Sequence, residues 1–275
     1  MTKILIASDM EGITGVVNWD QVTPGHEEYP RFRRLMTQDV NAAIRGAFDG
    51  GASEVIVADG HWNGTNILLE ELDSRAKLNS STSAIHSMMQ GIDQSFDGVI
   101  YVGYHARHGS ENAIMDHTWS SSSVANVWLN DILVGEFGLN AALAGHFGVP
   151  VIMVTGDQTA CRQTVELLGN IETAVVKQAN GRFSAECLPP SVTQTLITDS
   201  ARKAVKTVTN GSAAYKIFVV NNPVVVCVEF RASENADKAI RVPGSRRNGL
   251  KVSIEAVNMD IAYSAFRTLV SLSNA

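Results

Sequence analysis

Thiols are scarce in this chain: its 275 residues include three cysteines, Cys161, Cys187 and Cys227. An odd count without CxxC spacing excludes a disulfide framework and a thiolate zinc knuckle, and it fits a reducing compartment. No apolar run approaches membrane-spanning length. Met1-Thr2-Lys3 leads straight into a short strand-like run, without the apolar core and cleavage site of a secretory leader. A cytoplasmic protein with no membrane partner is expected. Positive charge is short as well: 22 Lys and Arg against 28 Asp and Glu leave a net charge of −6, which opposes a nucleic-acid partner. Phosphate-loop and dinucleotide glycine motifs are missing, as are internal repeats and low-complexity tracts.

What is present is apolar sequence in alternating patterns. At 45% hydrophobic residues the chain can bury a full core. Ile4 to Ala7, Val55 to Ala58, Val99 to Val102 and Pro150 to Val154 are short β-rich runs of the kind buried in parallel sheets. Between the first two, Phe32, Met36, Val40, Ala43 and Ala47 recur at three- and four-residue steps, which predicts a helix over 29–48 stopped at Gly50-Gly51. Strand, helix and strand make a βαβ unit with parallel strands. A hairpin is expected about Asn130-Asp131, then a helix over 139–147 with Glu136 in its first turn. Pro189-Pro190 marks a boundary, with Ser191 as the expected cap of a helix over 192–208. The expected fold is α/β: a mainly parallel sheet with helices on both faces in residues 1–188, and a smaller C-terminal α/β lobe in 189–275.

Five residues able to bind metal stand where strand-like runs end or a helix begins: Asp9, Glu11, His61, His105 and Glu136. In open α/β sheets ligands bind at the carboxyl ends of parallel strands, so residues far apart in sequence converge there. Carboxylate and imidazole donors without thiolate suit Zn²⁺, with Mn²⁺ or Co²⁺ as further options, and a pair of ions needs a bridging carboxylate, for which Asp9 is the natural choice. Each residue taken alone is as well explained as a turn or capping residue, and only the recurrence at successive strand ends favours a site. Asp9 and Glu11 stand two residues apart, so in extended chain both face one side, and Asp59 and His61 share that geometry. Cys161 and Cys187 are expected as small buried apolar residues. Trp62, Trp119 and Trp128 are expected in packing, Trp62 with the option of lining a pocket because it follows His61.

Ser8-Asp9-Met10-Glu11-Gly12-Ile13, Asp59-Gly60-His61, Gly103-Tyr104-His105-Ala106, Met115-Asp116-His117 and Val134-Gly135-Glu136-Phe137-Gly138-Leu139-Asn140 together resemble the M55 family of zinc D-aminopeptidases. The resemblance implies a two-zinc site in which Asp9 bridges, Glu11 and His105 complete one ion, and His61 and Glu136 complete the other. It implies that His117, otherwise a loop histidine, is catalytic and a nucleophile candidate. It also implies a homodecamer of two stacked rings acting on short peptides with an N-terminal D-amino acid such as D-Ala.

The expected activity is therefore peptide hydrolysis by metal-activated water. His117 is read as the general acid for the leaving amine in preference to covalent attack, which metal chemistry makes unnecessary. Two rivals stand beside this reading. The same ligands can serve a dimetal phosphoesterase, although no Arg pair accompanies them. A peptide-binding ring scaffold, in which metal only staples the strand ends, is the other.

Overall fold

Strand β1 (Lys3–Ser8) lies mid-sheet because its residues are apolar toward both faces: Ile4 and Ile6 enter one core, Leu5 and Ala7 the other. The structure, a computed structural model, describes residues 1–211 and 215–274. Helix α1 (Tyr29–Asp49) follows β1, with Pro30 in its first turn and Gly50 just past its end. It returns the chain to β2 (Glu54–Asp59), which pairs parallel to β1 with Ser8 opposite Asp59. Beyond β2 comes β3 (Ala76–Asn79). The chain then crosses back to lay β4 (Gly98–Tyr104) parallel on the other side of β1. This reversal of strand order opens a crevice at the carboxyl ends of β1 and β4.

A second, antiparallel sheet begins with β5 (Val124–Leu129) and β6 (Ile132–Val134), the hairpin expected at Asn130-Asp131. Helix α2 (Glu136–His146) has Glu136 in its first turn, as expected, and is buried from Glu136 to Gly145. Next come β7 (Val151–Asp157), α3 (Gln158–Leu168), β8 (Glu172–Gly181) and β9 (Ser184–Cys187). They complete a seven-stranded order β3-β2-β1-β4-β7-β8-β9, parallel except for the last pair.

Helix α4 (Pro190–Thr209) packs on α1 and on the first sheet. It begins at Pro190 after Pro189, with no side-chain cap, so Ser191 lies inside the helix and not at its cap. Proline suits the first helical position, where its missing N–H is no loss. Strand β10 (Val224–Phe230), helix α5 (Ser233–Ala239), β11 (Arg246–Asn248) and β12 (Lys251–Ala256) follow. The last element is α6 (Met259–Ser273), capped by Asn258, whose side chain accepts from the Ile261 N–H. The second sheet runs β11-β12-β10-β5-β6, so it draws strands from both sides of the boundary expected at 188 and 189. Helix α2 lies between the two sheets, with α6 against it. Among the described residues no helix is long and apolar enough to cross a membrane.

Candidate metal centre

The carboxyl ends of β1 and β4 meet closely enough to exclude side chains from two positions. A Cβ on Gly12 would lie 2.1 Å from the carbonyl oxygen of Tyr104, and one on Gly103 2.3 Å from that of Asp9. Gly103 also has φ +75°, a conformation that glycine adopts without steric cost. The resulting bonds, Asp9 N–H to Val102 O (2.8 Å) and Gly12 N–H to Gly103 O (2.7 Å), bring the loop after β1 across the end of β4.

Onto this crossing converge Asp9, Glu11, His61, His105, His117 and Glu136, all buried. His61 Nδ1 lies 3.2 Å from Asp9 Oδ1 and 3.1 Å from Glu11 Oε2. His105 Nε2 lies 3.4 Å from Asp9 Oδ2 and 3.1 Å from Glu136 Oε1. His117 Nε2 is 3.6 Å from Glu136 Oε1 and 4.0 Å from Glu11 Oε1. Donor atoms of Asp9, Glu11 and His105, and of His105, His117 and Glu136, lie within 4.8 Å of one another, so each set could hold an ion. Despite this proximity Asp9 Oδ2, Glu11 Oε2 and His105 Nε2 have no hydrogen-bond partner. Buried lone pairs aimed at a common point are costly unless a cation joins them, and oxygen and nitrogen donors of this kind fit zinc.

Each imidazole is oriented by a backbone carbonyl on its far nitrogen. His61 Nε2 meets Val22 O at 2.8 Å, His105 Nδ1 meets Ala106 O at 3.0 Å, and His117 Nδ1 meets Met115 O at 2.8 Å. A carbonyl oxygen only accepts, so the far nitrogen carries the proton and the near one directs its lone pair into the cluster. Glu136 is fixed from both sides: it sits in the first turn of α2, where the helix dipole favours a carboxylate, and its Oε1 accepts from the Trp119 N–H at 2.6 Å. Met115 and Trp119, on either side of His117, both have positive φ (46° and 66°), so the histidine is carried by a conformationally strained loop.

With protons as its cations, the cluster polarises sharply. Burial, and then the charge of Glu11, push the Asp9 carboxyl up to about 7. Burial opposes charge on His105, yet Glu136 beside it raises the imidazole to about 10. Burial likewise opposes charge on His61 and Glu11, but each holds the other ionised, His61 well above and Glu11 well below the usual value. His117 is lowered by burial and by the neighbouring His105.

Two buried residues without local sequence prominence carry the ligand loop. Lys177 of β8 donates from Nζ to the carbonyl oxygens of Glu11 (2.6 Å), Ile13 (2.8 Å) and Val16 (2.7 Å), and burial lowers it to about 8. Asp39 of α1 accepts from the Thr14 N–H and hydroxyl. A lysine directly after the apolar run Ala174-Val175-Val176, in mid-strand, is the signal that could have flagged the first.

Other expected positions fall elsewhere. Asp59 accepts from the backbone N–H groups of Asn66 and Ile67 and from the Asn66 amide, bracing the loop that carries His61. His86 pairs with Asp260, and His146 ends α2 exposed at the surface. Cys161 is buried as expected, whereas Cys187 is exposed, because β9 is an edge strand. Trp62 is 60% exposed and lines the opening of the site instead of packing inside. The cluster forms the floor of a cavity of about 790 Å³, walled by Trp19, Trp62, Trp119 and the Arg267 to Asn274 face of α6.

Similarity to known proteins runs over nearly the whole chain. A curated D-aminopeptidase of Bacillus subtilis (strain 168) is 35% identical over 273 residues, covering 98% of this chain and 97% of its own. The solved structure described as the zinc-dependent D-aminopeptidase DppA from Bacillus subtilis, a self-compartmentalizing protease, superposes with a TM-score of 0.94. That match has 33% identity and covers 99% of this chain and 98% of the other. The peptidase M55 family model, described as D-aminopeptidase, matches residues 2–268. Carrying the buried cluster on a fold shared end to end, the chain belongs to the M55 family of D-aminopeptidases and is a peptide hydrolase.

Proposed function

We propose that this enzyme is a dizinc aminopeptidase that removes an N-terminal D-amino acid, such as D-Ala, from short peptides. The observation carrying this reading is the set of buried, unpartnered lone pairs on Asp9, Glu11 and His105. Residues 1–188 supply every ligand, and the 189–275 lobe supplies a cavity wall through α6. Asp9 would hold both ions. Its two oxygens face different histidines, Oδ1 toward His61 and Oδ2 toward His105. Ion-pair contacts join His61 with Glu11 and His105 with Glu136, while the unpartnered donors of Asp9, Glu11 and His105 lie within 4.8 Å of one another, as the pairing implied by the resemblance requires.

When bound, zinc supplies Lewis acidity that activates water and polarises the scissile carbonyl. His117 moves the proton. Its Nδ1–H donates to Met115 O, so Nε2 is free to take a proton from the attacking water and pass it to the leaving amine. This is acid-base work, and covalent attack by His117 is the rival. The buried floor and tryptophan-lined wall restrict bulk water around the reacting atoms.

The active form is a ring-shaped homo-oligomer, the homodecamer that the resemblance implies, working in the cytoplasm. Exposed apolar side chains such as Leu69, Val257 and Ile261 are suited to subunit contacts. Elemental analysis and light scattering test the reading together with kinetics. About two zinc equivalents per chain are expected, with D-Ala peptide hydrolysis lost on chelation and restored by zinc. Full turnover by a metal-free enzyme would end the proposal.

A further inference from the structure

Arg267 is the single lysine or arginine among the described residues that line the cavity above the ligand cluster. It projects from α6 on the same face as Val270, Ser271 and Asn274, the three- and four-residue steps that turn one side of a helix toward a common space. The guanidinium donates from Nη2 to Thr82 O (2.7 Å), and from Nη1 to Ile85 O (2.9 Å) and Ala84 O. Those three bonds leave at least two of its five N–H donors unspent, Nε among them. All its hydrogen-bond partners are neutral carbonyls, and no carboxylate among the described residues pairs with it.

An arginine held in place by carbonyls, with its charge unmatched and donors to spare at a cavity wall, is poised for an incoming anion. The reaction defines which anion arrives. An unblocked short peptide always carries one carboxylate, at its C-terminus, whatever its side chains. Its other end must reach the Asp9, Glu11 and Glu136 cluster for the first peptide bond to be cleaved. Zwitterion and cavity are complementary, and a volume of about 790 Å³ lies within the roughly 300–1,000 Å³ typical of small-molecule sites.

We propose that Arg267 is a carboxylate subsite that binds the free C-terminus of the peptide. The inference rests on the peptidase reading above and adds a determinant of substrate charge. A blocked C-terminus offers no anion.

The test compares the zinc-loaded full chain on D-alanyl-D-alanine and on its C-terminal amide, for the wild type, Arg267→Met and Arg267→Lys. A charge-assisted contact of this kind predicts that the wild type favours the acid by about 10- to 100-fold in kcat/KM, carried by KM. Arg267→Met should bring the ratio of acid to amide kcat/KM down to about one, whatever the change common to both substrates, and Arg267→Lys should keep part of the preference. The amide serves as internal control for the clamp on Thr82, Ala84 and Ile85, since a folding defect lowers both substrates alike. Equal wild-type turnover of acid and amide, or loss of both in equal proportion in the two variants, overturns the subsite and leaves the peptidase reading standing. No turnover of any peptide overturns both.

Discussion

The imidazoles of His105 and His117 lie face to face, their centroids 4.0 Å apart and their planes 9° from parallel. Two rings stacked this closely do not both carry charge at little cost. Glu136 draws charge onto His105, and His105 in turn disfavours it on His117. Under the proposed function the two rings have separate duties, His105 as a ligand and His117 as the proton carrier through Nε2. His117→Ala should keep its zinc and fold while kcat falls on the order of 10²- to 10⁴-fold. His105→Ala should lose metal first. Rapid-quench mass spectrometry that trapped an acyl group on His117 would replace proton transfer with covalent attack, and a His117→Ala enzyme with wild-type kcat would remove the residue from the mechanism.

Asp9 faces His61 with one oxygen and His105 with the other. Asp9→Ala should empty both sites together, since one carboxylate then ceases to hold two cations against their repulsion. Glu11→Ala and Glu136→Ala should each reduce occupancy of one site first. Zinc titration of the three variants, read by elemental analysis, distinguishes them. Near-full occupancy in Asp9→Ala is the result that contradicts a bridge.

Lys177 gives its ammonium to three carbonyls of the loop that bears Glu11. Methionine fills the same volume and supplies no donor, so Lys177→Met leaves those carbonyls buried without partners. Zinc affinity is expected to drop about 10- to 100-fold, the range typical of residues that orient ligands from behind, and Tm should fall as well. Competition with a chromophoric chelator measures the first and calorimetry the second. An unchanged affinity would confine Lys177 to a folding role.

Burial pushes the Asp39 carboxyl up to about 6, against the lowering effect of its Thr14 hydrogen bonds. A carboxyl whose folded pKa is raised binds its proton more tightly when folded, so its contribution to stability is present at low pH and declines as pH rises through about 6. Relative to Asp39→Asn, which does not titrate, the wild type should lose up to about 3 kcal/mol between pH 4 and pH 7. Denaturant titrations of both proteins at the two pH values give this difference. A gap that stays constant or widens in the opposite direction refutes the assignment.

The strand runs ending at Ser8, Asp59 and Tyr104, the helix of residues 29–49 and the hairpin at Asn130-Asp131 were legible from the chain. Their signals are local, lying in apolar periodicity and turn chemistry within a few residues. Placement of Asp9, Glu11, His61 and His105 at one sheet edge follows from those signals, because parallel strands bring their carboxyl ends together, whereas Glu136 joins them from the start of α2, behind the antiparallel hairpin. His117 had no local mark, and only its likeness to a family pattern singled it out. Tertiary structure decided the rest. It showed which histidine faces which carboxylate, and it drew the 124–134 hairpin into a sheet with the C-terminal strands. It carried Lys177 under the ligand loop from 166 residues away, and it brought Arg267 to the cavity wall. These contacts join segments far apart in sequence, and their energy comes from burial and pairing that exist only once both sheets have packed, so no stretch of the chain read alone encodes them.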